Sequence, residues 1–158
     1  MVPIKRSEAL QPLSRQHHNG LLFCLLLEKG IAKQTSFDVL KDFSVLFFKN
    51  DLTGHFIAEE EYLHALPFSY PVLAEGIGKM MAEHAALRHL IILIEQNPSY
   101  ELFQQLHVQL KQHIRFEERV LFNLIDATID GETSRRINIA LKDLKDDNCM
   151  NYPIKFWE

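Results

Sequence analysis

Two four-residue spacings in this 158-residue chain pair a histidine with a glutamate: His55 with Glu59, and His113 with Glu117. On a helix, residues four apart lie on one face, so each pair presents an imidazole nitrogen and a carboxylate oxygen in one direction. That donor combination suits a first-row transition-metal ion. The spacing alone is weak. With eight histidines in the chain, chance supplies about 0.7 such pairs, and two solvated helix contacts would look the same.

What gives the pairs weight is the set of elements that must carry them. Glycine and proline occur only six times each, and the prolines cluster between long periodic stretches, which reads as long helices. Four are expected, over about 14–34, 36–66, 72–96 and 100–128, with Ser14 and Ser36 as N-caps. A short fifth is expected over 133–144. The tail from 146 to 158 shows no period, and no stretch alternates as a strand would. Short connections between long helices imply antiparallel neighbours, so the expected fold is an all-α, up-down-up-down four-helix bundle. It forms one domain over 1–158, with the bundle at about 10–128 and a C-terminal extension over 129–158.

Height along this bundle then sorts the histidines. His55 lies eleven residues before Leu66, where the second helix ends, and His84 twelve after Val72, where the third begins, roughly 17 Å from the 67–71 connection in each case at 1.5 Å per residue. His84 and His113 are likewise level about the turn at Asn97 and Pro98. His18 comes level with His55 provided that the first helix runs on through Gly30, which would otherwise make an attractive C-cap. One layer therefore holds His18, His55, His84 and His113, with Glu59 and Glu117 one turn away. Of the adjacent pair His17 and His18, one faces the axis. His18 is favoured, because Leu21, Leu22 and Leu25 follow it at core spacing. His64, His89 and His107 point elsewhere by helical angle and are expected at the surface or half-buried. Two carboxylates buried in one layer are prohibitive without a compensating cation. Six nitrogen and oxygen ligands suit two bridged ions better than calcium, magnesium or a thiolate-rich structural zinc.

Composition bounds the rest. A formal charge of −4 gives no electrostatic reason to bind nucleic acid. The longest apolar run, Leu21 to Leu27, is far too short for a membrane span. Residues 1–14 hold no apolar stretch that could serve as a signal peptide. Two cysteines, of which Cys24 lies in an apolar run, fit a reducing cytoplasm.

The strings RQHHNGL, GHFIAEEEYL, AEHAALRHLI and QHIRFEERVLF carry these residues, and together they resemble the hemerythrin-like, or HHE cation-binding, domain over about residues 10–128. The resemblance implies a non-haem di-iron centre with Glu59 and Glu117 as bridges, other transition metals being alternatives. It departs from the oxygen carriers at two points. Arg88 stands where they place a second histidine on the third helix, and Glu117 follows His113 by four residues where they have an aspartate at five. Four histidine ligands rather than five disfavour reversible oxygen carriage. Arg88 can reach the bundle surface, the favoured course, or stay inside against a carboxylate such as Glu59 or Glu117. The implied roles are sensing, storing or binding iron, dioxygen or a related small molecule. The alternatives are a di-iron oxidoreductase acting on peroxide or nitric oxide, and a metal-free helical interaction module.

Overall fold

The computed structural model describes residues 5–145 and 148–158; the readings at residues 1–4, 146 and 147 lie outside it. Among the described residues every regular element is helical. Helix α1 spans Gln11–Ala32, with Pro12 in its first turn, where a missing N–H costs nothing. It runs through Gly30 as required and ends at Lys33, where Gln34 turns left-handed (φ 54°) and Thr35 N donates to Gly30 O. Gly30 serves packing instead of capping: a Cβ there would meet Leu40 Cδ2 at 2.6 Å and Phe156 Cε2 at 2.8 Å.

The second long segment starts at the Ser36 cap, whose side chain accepts from Val39 N. It comprises α2 (Phe37–Phe47), a π-helical turn (Phe48–Leu52) and α3 (Thr53–Leu63). A helical turn, α4 (Leu66–Ser69), and a 3₁₀ turn (Pro71–Leu73) lead into α5 (Ala74–Gln96). The fourth segment comprises α6 (Tyr100–Phe116), a second π turn (Glu117–Leu121) and α7 (Phe122–Thr128). The fifth helix, α8 (Gly131–Leu141), is capped by Asp130, and a 3₁₀ turn (Cys149–Asn151) follows.

The π turns have a physical cause. Buried residues on α5 alternate in steps of three and four (Ile77, Met80, His84, Leu87, Ile91, Ile94), which keeps one face of a regular helix inward. His113, Glu117, Leu121 and Ile125 are spaced by fours, and all are buried. On a regular helix three such steps drift by roughly 120°, and one inserted residue takes back about 100°. The series Phe48, Leu52, Phe56 in the second segment has the same spacing and the same remedy.

Helix α6 packs most extensively on α1 and α5; α2 also touches both α1 and α5. The core is split in two. One cluster gathers around Phe23, Phe43, Phe47, Leu87, Leu106 and Trp157, the other around Leu13, Leu63, Met80, Leu121, Phe122 and Leu141. On α1 the boundary falls between Leu13 and Phe23, and on α5 between Met80 and Leu87. A polar layer occupies that gap.

Candidate metal centre

The layer consists of His17, His55, Glu59, His84, His113 and Glu117, all buried and none more than 4% exposed. They form two overlapping groups that could each hold an ion: His17, His55, Glu59, Glu117, and Glu59, His84, His113, Glu117. Within each group the donor atoms lie within 4.8 Å of one another, and both glutamates belong to both groups. Five of the six residues expected from the sequence therefore come together. His18 does not: it is exposed, and His17 takes the inward place. The apolar run from Leu21 to Leu27 offers a stripe in any phase, so Leu21, Leu22 and Leu25 were a poor guide; Leu21 and Leu25 are 37% and 48% exposed. The stripe that is buried, Leu13, His17, Gly20, Cys24 and Leu27, alternates four and three, as a regular helix requires. Gly20 lets α6 approach beside the layer, since a Cβ would sit 2.8 Å from Ile114 Cδ1. Of the histidines set aside, His64 and His89 are exposed. His107 is a correction: it is 5% exposed, turned toward Cys24 and Glu28 rather than the layer, and donates to Gln104 Oε1.

Each inward imidazole is held from behind. His17 Nδ1 lies 2.6 Å from Glu118 Oε1, His55 Nδ1 2.8 Å from Gln16 Oε1, His84 Nδ1 2.9 Å from Glu60 Oε1, and His113 Nδ1 2.9 Å from Glu83 Oε1. Since the partners accept, Nδ1 of each ring carries a proton and Nε2 is the atom turned inward, the one a metal-bound imidazole presents. The four partners close a ring. α1 supplies Gln16 to the histidine of α3, α3 supplies Glu60 to that of α5, α5 supplies Glu83 to that of α6, and the second π turn supplies Glu118 to α1. Each partner adjoins a layer residue in sequence, but which histidine it holds is set by the neighbouring helix.

Inside the ring His17 Nε2 and His55 Nε2 meet at 3.1 Å, and the other inward atoms converge without satisfying one another. Both oxygens of Glu59, both of Glu117, and Nε2 of His84 and His113 lack a hydrogen-bond partner among the described residues. Approaches of 2.8 Å (His55 Nε2 to Glu59 Oε1) and 2.5 Å (His113 Nε2 to Glu117 Oε1) occur, but off the hydrogen-bonding directions. Unpaired buried polar atoms cost about 1–3 kcal/mol each, and buried charges more, so the donor set fits a cation.

A family model for the hemerythrin HHE cation-binding domain matches residues 9–125. The chain belongs to that family. Curated proteins and solved structures gave no match.

In this hemerythrin-family chain, Arg88 takes the surface course. Its side chain is 39% exposed, its guanidinium stands 5.4 Å over Phe56, and it donates to Glu60 Oε1 at 2.7 Å. It thus grips the carboxylate that orients His84, without entering the layer.

The electrostatics show what the layer does when protons are its only cations. Burial drives the Glu59 carboxyl well above its usual range, and the adjacent Glu117 adds to the push. Burial alone would raise Glu117 too, but His113, the proton on Glu59 and His17 outweigh it and hold Glu117 well below the usual range. Burial opposes charge on His113, yet Glu117 and Glu83 raise it to about 9. His17 is raised in the same way by Glu117 and Glu118. Burial and the other imidazoles lower His55 well below its ordinary value, and burial takes His84 to about 4. Protons on Glu59, His17 and His113 occupy the place of a metal charge.

Proposed function

We propose that this hemerythrin-family chain holds two iron ions in an up-down-up-down four-helix bundle, as one domain in a cytoplasmic setting. It senses, stores or binds iron, dioxygen or a related small molecule. His17 and His55 would hold one ion, His84 and His113 the other, and Glu59 and Glu117 would be shared. The observation that carries this reading is the set of six inward nitrogen and oxygen atoms that are buried and lack hydrogen bonds. A metal-free interaction bundle would have only protons to offset those buried groups and would leave the six atoms without hydrogen bonds. When bound, iron supplies an electrophilic, redox-active centre. The chain's own part is to present neutral imidazoles, fix their tautomers through the outer ring and exclude bulk water.

A second reading, oxidoreduction of peroxide or nitric oxide, draws support from a cavity that reaches His17, His55 and His113. Elemental analysis of protein reconstituted anaerobically with ferrous iron tests the main reading. Two irons per chain are expected; an iron-free protein overturns it. Turnover of peroxide or nitric oxide by the loaded protein selects the second.

A further inference from the structure

A cavity of about 220 Å³ meets the polar layer on one side. Its inner end is formed by the rings of His17, His55 and His113, and its walls include Leu52, Phe56, Leu110 and Ile114. Exposed Asn50 and Gly54 also border it, toward the surface. His84 does not line it, so the cavity meets both histidines of the His17–His55 pair and only His113 of the other.

Its size exceeds what a diatomic molecule needs. An enclosed apolar space of roughly 150 Å³ admits a benzene ring, and pockets for drug-sized ligands begin near about 300 Å³. The apolar walls disfavour a highly charged guest, whereas the imidazole end is polar.

The outer wall comes from chain beyond the family match, which ends at residue 125. Leu144 and Lys145 line the cavity. Gln16 holds them: its Nε2 donates to Lys145 O at 2.8 Å, while its Oε1 accepts from His55 Nδ1. One turn on, Asn19 accepts from Cys149 N at 2.8 Å and donates to Asp51 Oδ2 at 3.1 Å. One amide therefore orients a candidate ligand and fixes the enclosure beside it.

We propose that this cavity binds a small, largely apolar organic molecule, about the size of a benzene ring bearing one polar group, seated with that group against His17 and His55. The role of the polar group rests on the di-metal reading; the cavity does not.

4-Fluorophenol is the probe, followed by ¹⁹F NMR on the full chain, iron-loaded and metal-stripped, with metal content measured on each sample. Gly54→Trp puts a ring at the exposed edge of the cavity, where a Cβ meets nothing within 4 Å, and Gly54→Ala is its control. Leu110→Phe fills the cavity from its wall. Saturable binding to the native chain and to Gly54→Ala is expected, weakened at least about ten-fold in Gly54→Trp and Leu110→Phe. If Leu110→Phe fails to fold, the Gly54 pair decides. No saturable binding to a chain that loads iron overturns the cavity site and leaves the di-metal reading intact. Equal binding in all variants also overturns it. Binding that Gly54→Trp abolishes, in a chain that loads no metal, sustains the cavity and removes the di-metal reading.

Discussion

Adjacent histidines on a helix point about 100° apart, so His17 and His18 cannot share a role. His17→Ala is expected to lower iron content, with His18→Ala, His64→Ala, His89→Ala and His107→Ala near the native value. Equal loss from His17→Ala and His18→Ala, measured by elemental analysis, would defeat the assignment. The outer ring makes a finer prediction. Three imidazoles are backed by carboxylates, and His55 by the neutral Gln16. Loss of a group behind a ligating histidine typically costs about 10- to 100-fold in metal affinity. Gln16→Leu should weaken one of two binding steps by about that much and spare the other. Competition titration against a chelator reads this directly, and uniform weakening of both steps would count against two separable ions.

At the scale of elements, the two π turns set the phase of the site. The first lies between the apolar stripe of α2 and the candidate ligands on α3, so its extra residue decides whether His55 and Glu59 face inward. Deleting exposed Asn50 should restore a regular helix and rotate α3 by roughly 100° relative to α2. Helical circular dichroism should persist while iron content falls, His55 and Glu59 being turned out of the layer. Retention of full iron content would show that the turn has no part in aiming them. Height along the bundle is legible in the sequence because residue counts from the connections shift only slightly with a single inserted residue. The inward face of α1 is not, because a run apolar on every side leaves it undetermined by hydropathy.

For the whole molecule, the layer ties stability to pH and to metal. In the metal-free protein His84 sits at about 4 against an ordinary 6.5, so the unfolded chain binds more protons between those values. Stability is lost as pH falls through that window. Glu118, held to about 2 by His17 and Arg6 against its burial, adds a further loss on acidification from about 4.5 downward. His113 acts in the opposite sense. Its value of about 9 means that the folded state keeps a proton the unfolded chain has released, so stability is lost as pH rises from 6.5 toward 9. The raised Glu59 carboxyl slopes the same way. The melting temperature of stripped protein should therefore fall on both sides of near-neutral pH. Iron bound as proposed would replace the protons on His113 and Glu59, so the alkaline fall should disappear in the loaded protein, and its melting temperature should lie higher by linkage. Identical melting profiles of stripped and loaded protein would refute a buried ion-binding layer.

The sequence by itself determined the all-helical character, the spans of the four long segments to within a few residues, the continuation of α1 through Gly30 and five of the six layer residues. The helical character and the spans follow from local facts, namely periodicity, caps and breakers; the continuation of α1 and the layer residues follow from residue counts to the connections between antiparallel helices. Tertiary structure alone decided between His17 and His18, because the neighbours that pack on His17 come from α3, the second π turn and α7. It also decided the outer ring, in which every histidine is held by a side chain from a different element, and the cavity, whose outer wall arrives from Leu144 and Lys145. Such contacts depend on the mutual rotation of whole helices, and a spacing measured along one chain segment carries no information about that rotation.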